Sequence, residues 1–131
     1  MTRFVVVFAA IILCGCAFPG ATGCRSGLNS VTKAELFFGR SIASGGEVSE
    51  AEWQRFTAEE ITPRFPEGLT MEDAQGHWNG KAGPVQEPSK HMMIVFSGDA
   101  EAKIEAIRRA YKSRFHQDSV LLVETAACAS F

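Results

Sequence analysis

The chain has 131 residues, room for one domain. With 46% hydrophobic and 21% charged residues it has an ordinary globular make-up, which excludes long disorder and repeat arrays. A formal net charge of −2 supplies no basic field for nucleic acid or for an anionic membrane surface.

Residues 1–15 read as a signal peptide. Arg3 forms a short positive region, and Phe4 to Leu13 is an unbroken apolar run. A bilayer span needs about 20 apolar residues, so this run is too short to cross and fits the core of a signal peptide. It ends in Leu13-Cys14-Gly15-Cys16, which looks like a lipobox. Cleavage after Gly15 makes Cys16 the new N-terminus and the site of lipidation. The alternative is an ordinary secretory cut near Ala21 and a secreted soluble product. Cleavage after Gly15 removes Arg3 alone among charged residues, leaving 12 basic against 15 acidic side chains. Ala17 departs from the Cys-Asp pattern of lipoproteins kept at an inner membrane. The expected address is therefore the cell envelope, lipid-anchored at the outer membrane and facing the periplasm. The lipid does the anchoring, so the domain needs no membrane-binding surface of its own.

Residues 16–32, with Pro19, Gly20, Gly23 and Gly27, read as a flexible tether, and 33–131 as a single domain. Ala34 to Ser41 predicts a buried strand. Ser49 with Glu52 forms a capping box opening a helix, with Trp53, Phe56 and Ile61 as its core stripe. Pro63, Pro66 and Gly68 end it. Leu69 to Trp78 predicts a second strand, bulged at Gly76. A hairpin through Asn79-Gly80 and Gly83-Pro84 leads to a third strand, Lys90 to Phe96. Ser97 or Asp99 caps a second helix, on which Ile104, Ile107, Tyr111 and Phe115 form an apolar stripe. After a turn at 116–119, Val120 to Thr125 predicts the last strand. The order β-α-β-β-α-β is the ferredoxin-like pattern, an α+β fold with an antiparallel four-stranded sheet and two helices on one face.

Four cysteines are present. Cys14 leaves with the signal and Cys16 takes the lipid, so Cys24 and Cys128 remain. An oxidising envelope favours a disulfide between them over two free thiols. Neither has neighbouring ligands at metal spacing or a nearby His for thiol catalysis. The topology supports the same pairing, because it sets the first and last strands side by side.

Several blocks in fixed order resemble the bacterial family called domain of unknown function 3574. They are AELFFGRS at 34–41, VSEAEWQRF at 48–56, ITPRFPEGLT at 61–70, GHW at 76–78, EPSK at 87–90 and IEAIRRAYKSRFHQDSVL at 104–121, with the late Cys128. The resemblance covers nearly the whole expected domain. It implies export and carries no activity to transfer.

No nucleophile elbow, Walker or dinucleotide motif is present. The three histidines, His77, His91 and His116, lack metal-ligand spacing, and neither a metal nor a cofactor is expected. Arg40, Arg64, His77, Glu87 and Lys90 are the candidates for a polar pocket at the sheet rim. The competing reading of the charged ones is a set of internal ion pairs pinning loops. Leu36-Phe37-Phe38, Met92 to Phe96 and Val120 to Val123 are apolar at consecutive positions, so both sheet faces are expected to be apolar. The helices cover one face, and a homodimer through the second is the simplest cover for the other. Two functions follow. One is a non-catalytic envelope module that binds a protein or ligand; the other is a cofactor-free enzyme resembling the dimeric α+β barrels, with Arg40, His77 and Lys90 as its polar groups.

Overall fold

The computed structural model describes residues 23–80 and 83–131. The expected signal peptide, Cys16 and the first part of the tether lie outside that range. The elements are β1 (Asn29–Gly39), α1 (Glu50–Phe56), β2 (Thr70–Gly80), β3 (Gly83–Phe96), α2 (Glu101–Phe115) and β4 (Leu121–Ala129). The four strands form one sheet in the order β2-β3-β1-β4 with every neighbour antiparallel. This is the ferredoxin-like α+β arrangement expected from the sequence.

The helices begin where local chemistry directs. Ser49 caps α1, and its backbone N–H donates to the Glu52 carboxylate at 2.8 Å, completing the capping box. Beyond Phe56 the chain widens into a π-helical turn, Thr57–Ile61, and then a 3-10 turn, Thr62–Arg64. The wide turn explains an irregular spacing. Ile61 follows Phe56 by five residues, and a five-residue turn keeps both on the buried side. At α2 the cap differs from expectation. Ala100 occupies the N-cap without a side-chain bond, and Asp99 accepts from the Glu101 N–H at 2.8 Å.

The strands run further than expected. β1 starts at Asn29, inside the stretch that reads as tether, because its first residues pair with the end of β4 from Asn29↔Ala129 onward. β3 reaches back to Gly83 despite Pro84 and Pro88. β1 ends opposite Ser89, the Arg40 N–H still donates to the Pro88 carbonyl at 2.9 Å, and beyond that point only β2 flanks β3. A proline there forfeits a ladder bond only on the side that has a neighbour. Gly76 pairs with Glu87 in unbroken register, so the expected bulge is absent.

Strand parity decides the core. Ala34, Leu36, Phe38, Met92 and Ile94 are at most 1% exposed and face the helices. There they meet an aromatic cluster of Phe38, Trp53, Phe56, Tyr111 and Phe115, with ring centroids of successive pairs 4.9–6.4 Å apart. The buried Tyr111 hydroxyl donates to the Gly39 carbonyl at 2.9 Å, tying α2 to the end of β1. Burial pushes its phenol well above the usual range. Cys24 and Cys128 form a disulfide with Cα atoms 5.6 Å apart, closing the chain just before β1 onto the end of β4.

Candidate functional site

The five expected pocket residues do not converge. Arg40 and Lys90 come together on the helix side, where the first turn of α1 meets the sheet, through carboxylates that sequence reasoning did not single out. The Arg40 Nε–H donates to the Val48 carbonyl at 2.8 Å, and its guanidinium stands 2.9 Å from Glu47 and 3.9 Å from Glu50. Lys90 is buried, and its ammonium donates to Glu50 at 2.7 Å and to Asp73 at 2.5 Å. Burial alone would lower the Lys90 pKa; its hydrogen bonds to both carboxylates outweigh that and hold the amine above its usual value. The hydrogen bond from Lys90 in turn holds the carboxyls of Glu50 and Asp73 below theirs. A lysine so fixed stays charged and offers no free amine for nucleophilic work.

Of the other three, Arg64 lies apart, while His77 and Glu87 both line one groove at the end of the β2–β3 arm. Arg64 pairs with Glu60 at 3.0 Å and pins the turn after α1. His77 is exposed, opposite Gln86 near the far end of the β2–β3 arm. Glu87 has the opposite strand parity from Lys90 and stands on the other face of the sheet. The internal ion-pair reading therefore describes Arg40, Arg64 and Lys90. The catalytic grouping of Arg40, His77 and Lys90 does not occur among the described residues. Two arginines on α2 are also tied down: Arg108 to the Val120 carbonyl, and Arg114 to Glu59 and across the Phe56 ring.

The face without helices is mixed rather than uniformly apolar. Phe37, Met93, Val95, Leu121 and Val123 supply its apolar positions. A charged diagonal crosses them. Lys33 meets Glu35 at 2.8 Å, Glu35 stands 3.4 Å from His91 Nε2, and His91 Nδ1 stands 2.7 Å from Glu72. The hydrogen bond from Lys33 lowers the Glu35 pKa. The His91 ring stacks on Phe37 with centroids 4.5 Å apart. His91 pairs with Phe37 and so stands on the open face, with its Nε2 buried and without a hydrogen bond. No single-residue pattern announced the diagonal, because it joins three strands that are distant in sequence.

Beyond the diagonal lies a groove of about 610 Å3 at the end of the face, lined by Phe37, Trp78, Val85, Glu87 and Leu121 among others. At the opposite end a cavity of about 710 Å3 is lined by Val31, Phe65, Met93, Val95, Phe96 and Phe131 among others. Among the described residues no cluster of three metal-ligating side chains occurs.

The fold recurs in solved structures. A phage SAM lyase in complex with S-methyl-5'-thioadenosine aligns with a TM-score of 0.57 at 16% identity, covering 77% of this chain and 90% of that one. A phage SAM lyase in the apo state aligns with a TM-score of 0.57 at 15% identity, covering 83% and 94%. CutA from Synechococcus elongatus aligns with a TM-score of 0.53 at 10% identity, covering 80% and 87%. At such identities the likeness is one of fold alone. Among curated proteins none matches the chain in sequence. The model of a family described as protein of unknown function (DUF3574) matches residues 33–131, and the chain belongs to that family.

Proposed function

We propose that this chain is a cell-envelope lipoprotein, anchored through Cys16, whose domain is a non-catalytic binding module presenting the open face of its sheet. The observation that carries the module reading is the engagement of Arg40 and Lys90 in ion pairs with Glu47, Glu50 and Asp73. Those groups hold α1 against the sheet, and His77 lies apart from them. The anchor rests on the sequence: Arg3, the apolar run to Leu13, and Leu-Cys-Gly-Cys ending at Cys16. Ala17 supports the outer membrane, periplasmic side. The Cys24–Cys128 disulfide supports an oxidising compartment.

Expression in a bacterial host with a labelled fatty acid tests the anchor. Label is expected on the wild type and absent from Cys16→Ser. Equal labelling of the two would remove the anchor and leave a secreted soluble protein. A homodimer through the open face is the second reading. It is favoured by Leu121 and Val123 on β4, 57% and 41% exposed on that face.

A further inference from the structure

The groove at the end of the open face is built around one carboxylate. Glu87 lies in it, opposite Gly76 on β2 and two residues from Ser89, the partner of Gly39 on β1. A Cβ at Gly39 would stand 2.8 Å from one Glu87 carboxylate oxygen and 3.1 Å from the other. Gly39 does not have the positive φ that would make glycine a backbone necessity. Its missing side chain is what leaves room for the carboxylate. The Trp78 indole N–H donates to that carboxylate at 3.0 Å, holding it beside a ring that is 52% exposed.

The electrostatics are one-sided. The acidic partners Glu35, Glu47, Glu50, Glu59, Glu60, Glu72, Asp73 and Glu105 all lie within ion-pair distance of a basic side chain. Among the described residues no basic side chain pairs with Glu87. The groove lining adds a second acid, Asp118, and contains no Lys or Arg. Phe37, Trp78, Val85 and Leu121 supply apolar surface around these charges. Its volume of about 610 Å3 suits a small organic molecule.

We infer that this groove binds a small organic cation, an ammonium group on Glu87 with an apolar body against Trp78, Phe37 and Leu121. The assignment deepens the binding-module reading and rests on it. The carboxylate supplies a charge-assisted hydrogen bond, and the exposed Trp78 side chain supplies apolar contact beside it. Anionic ligands meet two carboxylates, with His77 and His116 but neither Lys nor Arg in the lining.

Trp78 is its own reporter, because the other tryptophan, Trp53, is 3% exposed. The full chain is titrated with 2-phenylethylammonium, and with neutral 2-phenylethanol and anionic phenylacetate as matched probes. Saturable change in Trp78 emission is expected with the amine alone. Glu87→Gln is expected to weaken binding about tenfold or more, the worth of one charged hydrogen bond. Gly39→Ala, which crowds the carboxylate without removing it, weakens binding too. Glu47→Gln, outside the groove, leaves it unchanged. Equal binding of the alcohol, or unchanged affinity in Glu87→Gln, overturns the inference. So does burial of Trp78 on raising protein concentration alone, since a second copy then fills the groove while the module reading stands. Recovery of the amine unaltered by mass spectrometry keeps the module non-catalytic. Its conversion would sink that reading and leave the amine site in place.

Discussion

The Lys90 ammonium donates to the Glu50 carboxylate at 2.7 Å, joining the buried part of β3 to the first turn of α1. Asp73 on β2 holds the same ammonium, so one side chain connects three elements. Its partners are half to four-fifths exposed at their side chains, while Lys90 is 7% exposed. The cost of desolvation falls on the lysine, and the carboxylates keep much of their water.

Replacing Lys90 with Met is expected to lower stability by about 1–2 kcal/mol. That is less than removal of one partner from a fully buried pair, because Glu50 and Asp73 rehydrate. Asp73→Asn changes stability less, since Glu50 remains. Urea denaturation reads both. A Lys90→Met variant as stable as the wild type would show that the cluster contributes nothing.

The same cluster sets a pH dependence. The carboxyls of Glu50 and Asp73 are depressed in the folded chain by their hydrogen bonds to Lys90. Groups of that kind contribute stability above the ordinary carboxylate pKa of about 4, and it is lost as pH falls through the folded value. Lys90 is raised, so its contribution persists below the ordinary lysine pKa of about 10.4 and is lost as pH rises through the folded value. The urea midpoint is expected to fall at both extremes, and Lys90→Met is expected to flatten both falls. An unaltered pH profile in that variant contradicts the assignment.

The Cys24–Cys128 bridge closes a loop with a sequence separation of 104. Cross-linking a loop of that length is worth about 4–5 kcal/mol in the chain-entropy account. Cys24→Ser with Cys128→Ser is expected to destabilise by that order, read by chemical denaturation. Peptide mapping without reductant should recover the linked pair from the wild type. Two free thiols in protein taken from the periplasm would contradict the pairing.

Met93 lies on the open face on the side away from Trp78, beside Val95 and opposite Thr70 and Glu35. A charge there reaches a dimer formed over the Met93–Val95 half and leaves the amine groove untouched. Leaving one large apolar side chain in water costs about 1.5–3 kcal/mol, so several together drive association. On the homodimer reading, light scattering of the wild-type chain gives a dimeric mass and Met93→Asp shifts it to the monomer. Phe37→Asp tests the other half, where the ring also supports His91. A monomeric wild type at every concentration would remove the homodimer and leave the face to other partners.

Short-range chemistry made much of this protein legible before its structure. Ser49 and Glu52 start α1 because capping acts over three residues. Ile104, Ile107, Tyr111 and Phe115 are buried on α2 because their spacing follows the helical period. The element order, with its antiparallel neighbours, placed Cys24 and Cys128 on adjoining ends. Parity alone showed that Phe37 and Met93 oppose Leu36 and Met92.

What parity cannot supply is which set meets the helices, and the tertiary structure gives that place to Leu36, Phe38, Met92 and Ile94. Strand lengths escaped local reading for a related reason. Asn29 and Gly83 are strand residues because partners lie beside them, not because of their own propensity. The ion pairs were further out of reach. Arg40 and Lys90 were visible as charges, but Glu50 and Asp73, which decide what those charges do, come from other elements. Glu87 shares a sequence block with Lys90 and faces the other side of the sheet, so neighbours in sequence serve opposite surfaces. Local periodicity determined the elements and their order; the registers between distant strands decided which side chains share a site.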